Sequence, residues 1–224
     1  MALSFPVQPN LAALQNAIIN DLNRGDTSLS DIILLDIQSA ITQYETQRFY
    51  FNDGAVASLT LSVTNTYALS LWVSTQGGVI DDIIEIDSIQ VTIGATRNYT
   101  LIEKPYRYID DLDQGAPTLM GYPQYFAIWN QSVRVYPKPS AALVLAANMS
   151  AHVRFANLNQ PTDMNPWTVD GADLIRNATL KRLYARRFRD YDGAQAVGML
   201  EQDALLALQR RTEALAGSRI RPVL

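Results

Sequence analysis

Carboxylates gather at two places in the chain, Asp81-Asp82 and Asp110-Asp111-Asp113. Two acids perform general acid–base chemistry only where opposed environments drive their pKa values apart. Neighbouring acids on a polar stretch share one environment, so both clusters read as solvated charge, with a contact to a cation or an interface as the second option. The single histidine, His152, lies in a strand-like run with no partner at metal-ligand spacing, and reads as a sheet residue. Cysteine is absent, which removes disulfides, thiolate ligands and cysteine nucleophiles. Gly77-Gly78 is not followed by the GK[ST] of a phosphate loop, and no G-x-S-x-G elbow occurs. The chain is therefore expected to be no enzyme and to need no metal or cofactor.

Basic chemistry is more concentrated. Arg176–Arg189, RNATLKRLYARRFR, holds six basic residues and no acidic one. On a helix Lys181, Arg182, Arg186 and Arg189 fall near one flank, which would suit phosphates in a nucleic-acid-binding module. The other reading keeps Arg182, Arg186, Arg187 and Arg189 for ion pairs with acids of a neighbouring subunit or partner. The whole chain carries −4, and the acidic balance of its first 169 residues favours ion pairing. The closing segment, Ser218 to Leu224, is short, alternating and stiffened by Pro222. It is either a frayed end or an extended arm, with Ile220, Val223 and Leu224 as anchors and Arg219 and Arg221 reaching acids.

These side chains need a frame. With 48% apolar and 18% charged residues among 224, the chain is globular and long enough for a real core. The opening MALSFPVQPN has neither a basic nor an apolar region of a secretory leader, and no run reaches the ~18 apolar residues that span a bilayer. The sequons at Asn98, Asn130, Asn148 and Asn177 are read as chance matches.

Helical periodicity opens the chain. Asn10 is expected to cap Leu11–Asn23, ended by Gly25, and Ser28 or Ser30 to start Asp31–Phe49. After Asn52-Asp53-Gly54 the period falls to two. Val56–Val63 with Tyr67–Trp72, and Ile83–Ile93 with Asn98–Ile102, read as strand pairs turned at Asn65 and Gly94. A short helix follows Pro105, over Tyr106–Leu112. Next comes a hairpin, Tyr125–Trp129 and Val133–Tyr136, turned at Asn130-Gln131, with one buried face and with Pro123, Pro137 and Pro139 outside its strands. A long strand, Leu143–Phe155, and the loop Asn157–Thr168 lead to helices Ala172–Arg189, capped by Asp170, and Ala194–Ala216. The apolar positions Val197, Leu200, Leu205, Leu208 and Leu215 of the last helix suit packing on a neighbour. The expected fold is α+β: an antiparallel bundle of two N-terminal helices (1–54) and two C-terminal helices (157–217), an inserted antiparallel β domain (55–156) and an arm (218–224).

In this order the parts resemble the head-to-tail adaptor (connector) proteins of short-tailed bacteriophages. The resemblance rests on the helix pair Leu11–Phe49, the strand TYALS (Thr66–Ser70) and the pattern I-x-x-I-D-S-I-x-V (Ile83–Val91). It rests above all on the hairpin G-x-P-x-Y-F-A-I-x-N-x-x-V-R-V-Y-P-x-P (Gly121–Pro139), together with the closing helices and basic tail. It implies a structural ring, typically of twelve copies, made in the host cytoplasm and built into the virion neck. Its partners would be the portal protein, neighbouring adaptor subunits, tail nozzle or tail fibre proteins, and genomic DNA passing through without specific binding; no membrane is involved. It also implies that the arm Arg219, Ile220, Arg221, Pro222, Val223 and Leu224 reaches onto the portal.

Overall fold

A computed structural model describes residues 10–22, 29–74, 80–93, 97–140 and 145–217. The expected stop at Gly25, the cap at Ser28, the turn at Gly94, the strand start at Leu143 and the arm 218–224 lie outside these residues. The chain is mixed α+β with mainly antiparallel sheets, and divides into two compact units, residues 1–52 with 155–224 and residues 53–154.

The first unit is helical: α1 (Leu11–Asp21), α2 (Ser30–Tyr44), α4 (Pro166–Val169), α5 (Ala172–Arg182), a π-turn (Leu183–Phe188) and α6 (Tyr191–Gly217). Asn10 caps α1 through its side chain, which accepts from Ala13 N at 2.9 Å. Two more orphan donors of that first turn, Leu11 N and Ala12 N, reach the carbonyls of Asp163 and Pro161. Asp163 is fixed in turn, its carboxylate accepting from the amides of Asn159 and Gln160. Leu11, Leu14 and Ile18 of α1 and Ile33, Ile37, Ala40 and Ile41 of α2 are buried at helical spacing. A second part of this core is aromatic. Trp167, 1% exposed, meets Phe51 edge-on at 4.9 Å and Phe49 at 5.7 Å. Gly171 makes room for it, since a Cβ there would lie 2.9 Å from the indole.

Several boundaries differ from expectation. Helix α2 stops at Tyr44, not Phe49, because the buried side chain of Asn52 accepts from Phe49 N and donates to Gln47 O, folding residues 45–52 into turns. Ser30 is the first helical residue and no side chain caps α2. The loop before α5 contains α4, closed by a reciprocal capping box between Asn165 and Thr168. Asp170 ends α4 with helical dihedrals, so Gly171, and not Asp170, stands at the N-cap of α5. Helix α5 passes at Leu183 into the π-turn, and Arg189 ends it in the left-handed region at φ 52°. Helix α6 starts at Tyr191, three residues earlier than expected, with the Asp190 carboxylate accepting from Gly193 N. Its buried seam is Ala194, Glu201 and Leu208, whereas Leu200 is 55% and Leu215 40% exposed.

The second unit holds β1 (Ala55–Leu61), β2 (Thr66–Ala68), a 3-10 turn (Leu69–Leu71), β3 (Val73–Ser74), β4 (Ile80–Ile93), β5 (Arg97–Thr100), β6 (Ile102–Glu103), α3 (Tyr106–Gly115), β7 (Met120–Gly121), β8 (Tyr125–Trp129), β9 (Ser132–Tyr136), β10 (Lys138–Pro139) and most of β11 (Leu145–Phe155). One sheet has the order β3-β1-β11-β4-β5, another β2-β9-β8-β6, and β7 pairs with β10 in a parallel bridge. Strands β4 and β5 form the expected pair, but β1 and β2 do not pair. Strand β1 runs against β11 and β3, and β2 against β9. The loop between β1 and β2 is held by the Tyr67 hydroxyl, which donates toward the carbonyls of Ser62 and Thr64 and accepts from Ser62 N, so it need not be a tight hairpin. Pro139 lies inside the short β10, at a sheet edge where a missing donor is tolerated.

The β8–β9 hairpin keeps its expected turn. Asn130 and Gln131 both take positive φ, 47° and 55°, as a type I′ turn requires. Its one buried face is a correction: Phe126, Val133 and Val135 are buried on one side, while Ala127 and Tyr136 are buried on the other against Ile109 of α3. Because glutamine is strained at positive φ, Gln131→Gly should stabilise the β unit by roughly 0.5–1 kcal/mol. Urea unfolding followed by circular dichroism and tryptophan emission reads this; an unchanged or lowered midpoint would refute it.

Candidate interaction surfaces

Pro105, at φ −55° and ψ 142°, launches α3, and the helical spacing puts Asp110 and Asp113 on one face. Strand β9 brings Arg134 beneath them. Its guanidinium donates to Asp110 at 2.8 Å, to Asp113 at 2.5 Å and to the Tyr106 hydroxyl at 2.7 Å, and sits 5.1 Å from the Tyr106 ring. Asn65, just before β2, donates to Asp113 at 3.0 Å. Burial opposes the charge on Arg134, but the hydrogen bonds it donates to Asp113 and Asp110 outweigh it and hold the pKa above its ordinary value. Two of the three clustered acids are therefore engaged by one cation in a clamp that joins α3 to the hairpin. Asp111 points to solvent. Asp82 lies 4.0 Å from Arg154. The Asp81 side chain lies outside the described residues; at Asp110 and Asp113 the arrangement fixes structure, both acids being held by one guanidinium.

In the helical unit the basic run divides. Arg176 is forked onto Asp21, Lys181 reaches Glu201 at 2.6 Å, and Arg182 donates to Gln43 at 2.7 Å. Glu201 is buried and also accepts from the Tyr44 hydroxyl at 2.6 Å. Burial foremost, then the bond to Glu201 and its charge, pushes the Tyr44 phenol well above its ordinary range. Burial raises the Asp36 carboxyl as well, against the pull of Arg182 and Arg186. Arg186, Arg187 and Arg189 are exposed, on or just after the π-turn, which shifts their phase from the single α-helical flank expected.

Sequence patterns alone passed over Arg134, Glu201 and Tyr44. Arg134 occupies a polar position in V-R-V, where alternation assigns solvent. Glu201 does leave a signal: it is the one acid on the stripe Ala194, Glu201, Leu208, spaced by sevens, where a charge needs a partner.

Large apolar side chains remain exposed on both units, including Met199 (59%), Leu200 and Leu206 on α6, and Ile102, Tyr122 and Trp129 (62%) in the β unit. His152 is buried in β11. Among the described residues no three metal-ligating side chains converge, and no helix is long and apolar enough to cross a membrane. No protein-family model matches the chain, and no curated protein matches it significantly.

Proposed function

We propose that this chain is a structural head-to-tail adaptor of a short-tailed phage. Copies of it would form a ring, of twelve by the resemblance, beneath the portal, extend the DNA channel and present a platform for tail nozzle or fibre proteins in the virion neck. Within this reading α1, α2, α5 and α6 act as one antiparallel bundle carrying the β unit as an insertion. The observation that carries the reading is the contrast on the surface. Many charges are satisfied within each unit, while large apolar side chains such as Met199, Leu200 and Trp129 stay exposed. A closed ring needs two different adhesive faces on every copy, which such a surface can supply. The exposed Arg186, Arg187 and Arg189 are then left to reach acids on a neighbouring copy or the portal.

The mass of the purified protein, alone and mixed with its phage's portal complex, tests this reading. A fixed multiple of copies should join the portal, and deletion of residues 218–224 should weaken joining at least tenfold. Absence of association at every salt concentration would remove the adaptor reading. Nucleic-acid binding through Arg176–Arg189 is the alternative. It is weakened because Arg176, Lys181 and Arg182 already have partners. It predicts salt-sensitive DNA retention, lost when Arg186 and Arg187 are reversed in charge.

A further inference from the structure

On α6 the buried seam of Ala194, Glu201 and Leu208 leaves another side of the helix bare. Met199, Asp203, Leu206 and Arg210 follow one another at steps of four, three and four, so a single helical stripe carries them. Ala196, Leu200 and Ala207 flank it. Every one of these residues is exposed, Met199 to 59% and Leu206 to 49%. The spacing is that of a coiled-coil seam, apolar except at two places.

Those two places hold a carboxylate and a guanidinium. Among the described residues neither Asp203 nor Arg210 has an ion pair or a hydrogen bond. They stand two turns apart, and so cannot pair with each other along one helix. Other charges of this unit do find partners within it: Arg176 on Asp21, Lys181 on Glu201, and Arg211 on Asp170 at 3.4 Å. Opposite charges left over on an apolar stripe form half of a joint.

The order of the charges selects the other half. A second α6 laid parallel and in register would set Asp203 on Asp203 and Arg210 on Arg210, like against like. An antiparallel α6, about a two-fold axis level with Ala204 and Leu205, sets Met199 opposite Arg210 and Asp203 opposite Leu206. Each Arg210 then lies one turn from Asp203 of the second copy, within reach of its guanidinium, and Met199 covers its stem. We propose that free copies of this chain pair through α6 in this antiparallel register. A face ~21 Å long and ~10 Å wide is small beside the ~800 Å² per copy of a stable complex, so the pair is weak and reversible. A two-fold contact also closes on itself and cannot propagate. It is therefore a form of the free protein, and does not rest on the ring reading.

Sedimentation equilibrium of the full chain tests the pair. Wild type should show a concentration-dependent monomer–dimer equilibrium. Asp203→Arg leaves two cations on the stripe and Arg210→Asp leaves two anions, so each variant alone should dimerise at least tenfold more weakly. An equal mixture of the two should form one-to-one dimers at wild-type affinity or better, because every contact then joins opposite charges. Leu206→Glu should leave only monomer. All three positions are exposed, so circular dichroism should be unchanged. A mixture that fails to recover, or a wild type that stays monomeric at ~1 mM, would overturn the pairing and leave the ring reading to its own test on the portal. A monomeric wild type whose Leu206→Glu variant no longer joins the portal complex would assign the stripe to the portal, and would also overturn the pairing.

Discussion

Arg134→Ala is expected to destabilise the β unit by about 2–3 kcal/mol. Removing one partner of a buried pair typically costs ~3–5 kcal/mol, because the remaining charge stays desolvated. The value is lower here because Asp110 and Asp113 keep 36% and 22% of their side-chain surface and can draw in water. The loss would fall on several contacts of α3 at once: the helix loses its charged tie to β9, Tyr106 loses its cation, and Asp113 retains the bond from Asn65. Trp129 reports the change, since its ring stands 5.3 Å from that of Tyr106. Arg134→Lys should recover part of the stability, as an ammonium keeps the charge but cannot fork between two acids. Denaturation curves followed by tryptophan emission and circular dichroism check both variants; an alanine variant with the wild-type midpoint would refute the clamp.

Lys181→Met is the second large effect. It leaves the Glu201 carboxylate buried in the seam between α5 and α6, with the Tyr44 hydroxyl still donating to it at 2.6 Å. The expected cost is about 2 kcal/mol, moderated because Lys181 itself is nearly half exposed. The double variant Lys181→Met/Glu201→Met should regain most of it, since two apolar side chains remove the unpaired charge together with its partner. The same site sets an alkaline limit. In the folded chain Tyr44 keeps its proton to a higher pH than a free phenol does, first through burial and then through Glu201. Its contribution is therefore complete below pH ~10, and stability declines as pH rises past that point by ~1.4 kcal/mol per unit. Unfolding free energies between pH 8 and 11.5 should show this slope on top of that from Tyr50, whose phenol burial also raises, and Tyr44→Phe should lower the total slope by the Tyr44 share. An equal slope in both proteins would refute the assignment.

What could be read from sequence was local. Asn10 as a cap, Pro105 as the start of α3, and the β8–β9 turn each depend on a few adjacent residues, and the structure has all three. Choice of partner was not local. Asn65 reads as a turn-former, yet nothing near it says that β2 will find β9, about 65 residues on, instead of β1. Asn52 ends α2 from a distance through its side chain, which no propensity at Tyr44 or Glu45 reveals. Asp170 has the right residue type for a cap but the wrong backbone, because α4 has already turned it helical. The clamp was hidden for the same reason. Asp110 and Asp113 look solvated until a strand from elsewhere brings Arg134 beneath them.

The hydrogen bonds from Leu11 and Ala12 to residues 161–163, with Arg176 on Asp21 across 155 positions, also set a timetable. A chain emerging from the ribosome makes α1 and α2 first, but their partners on α5 come last. The strands and α3 of residues 53–154 find their mates within one continuous stretch and can close during synthesis. The apolar stripes of α1 and α2 must wait meanwhile, uncovered, through the making of more than a hundred residues. That interval is when a nascent chain is most exposed to chaperones and to its own neighbours on a crowded messenger.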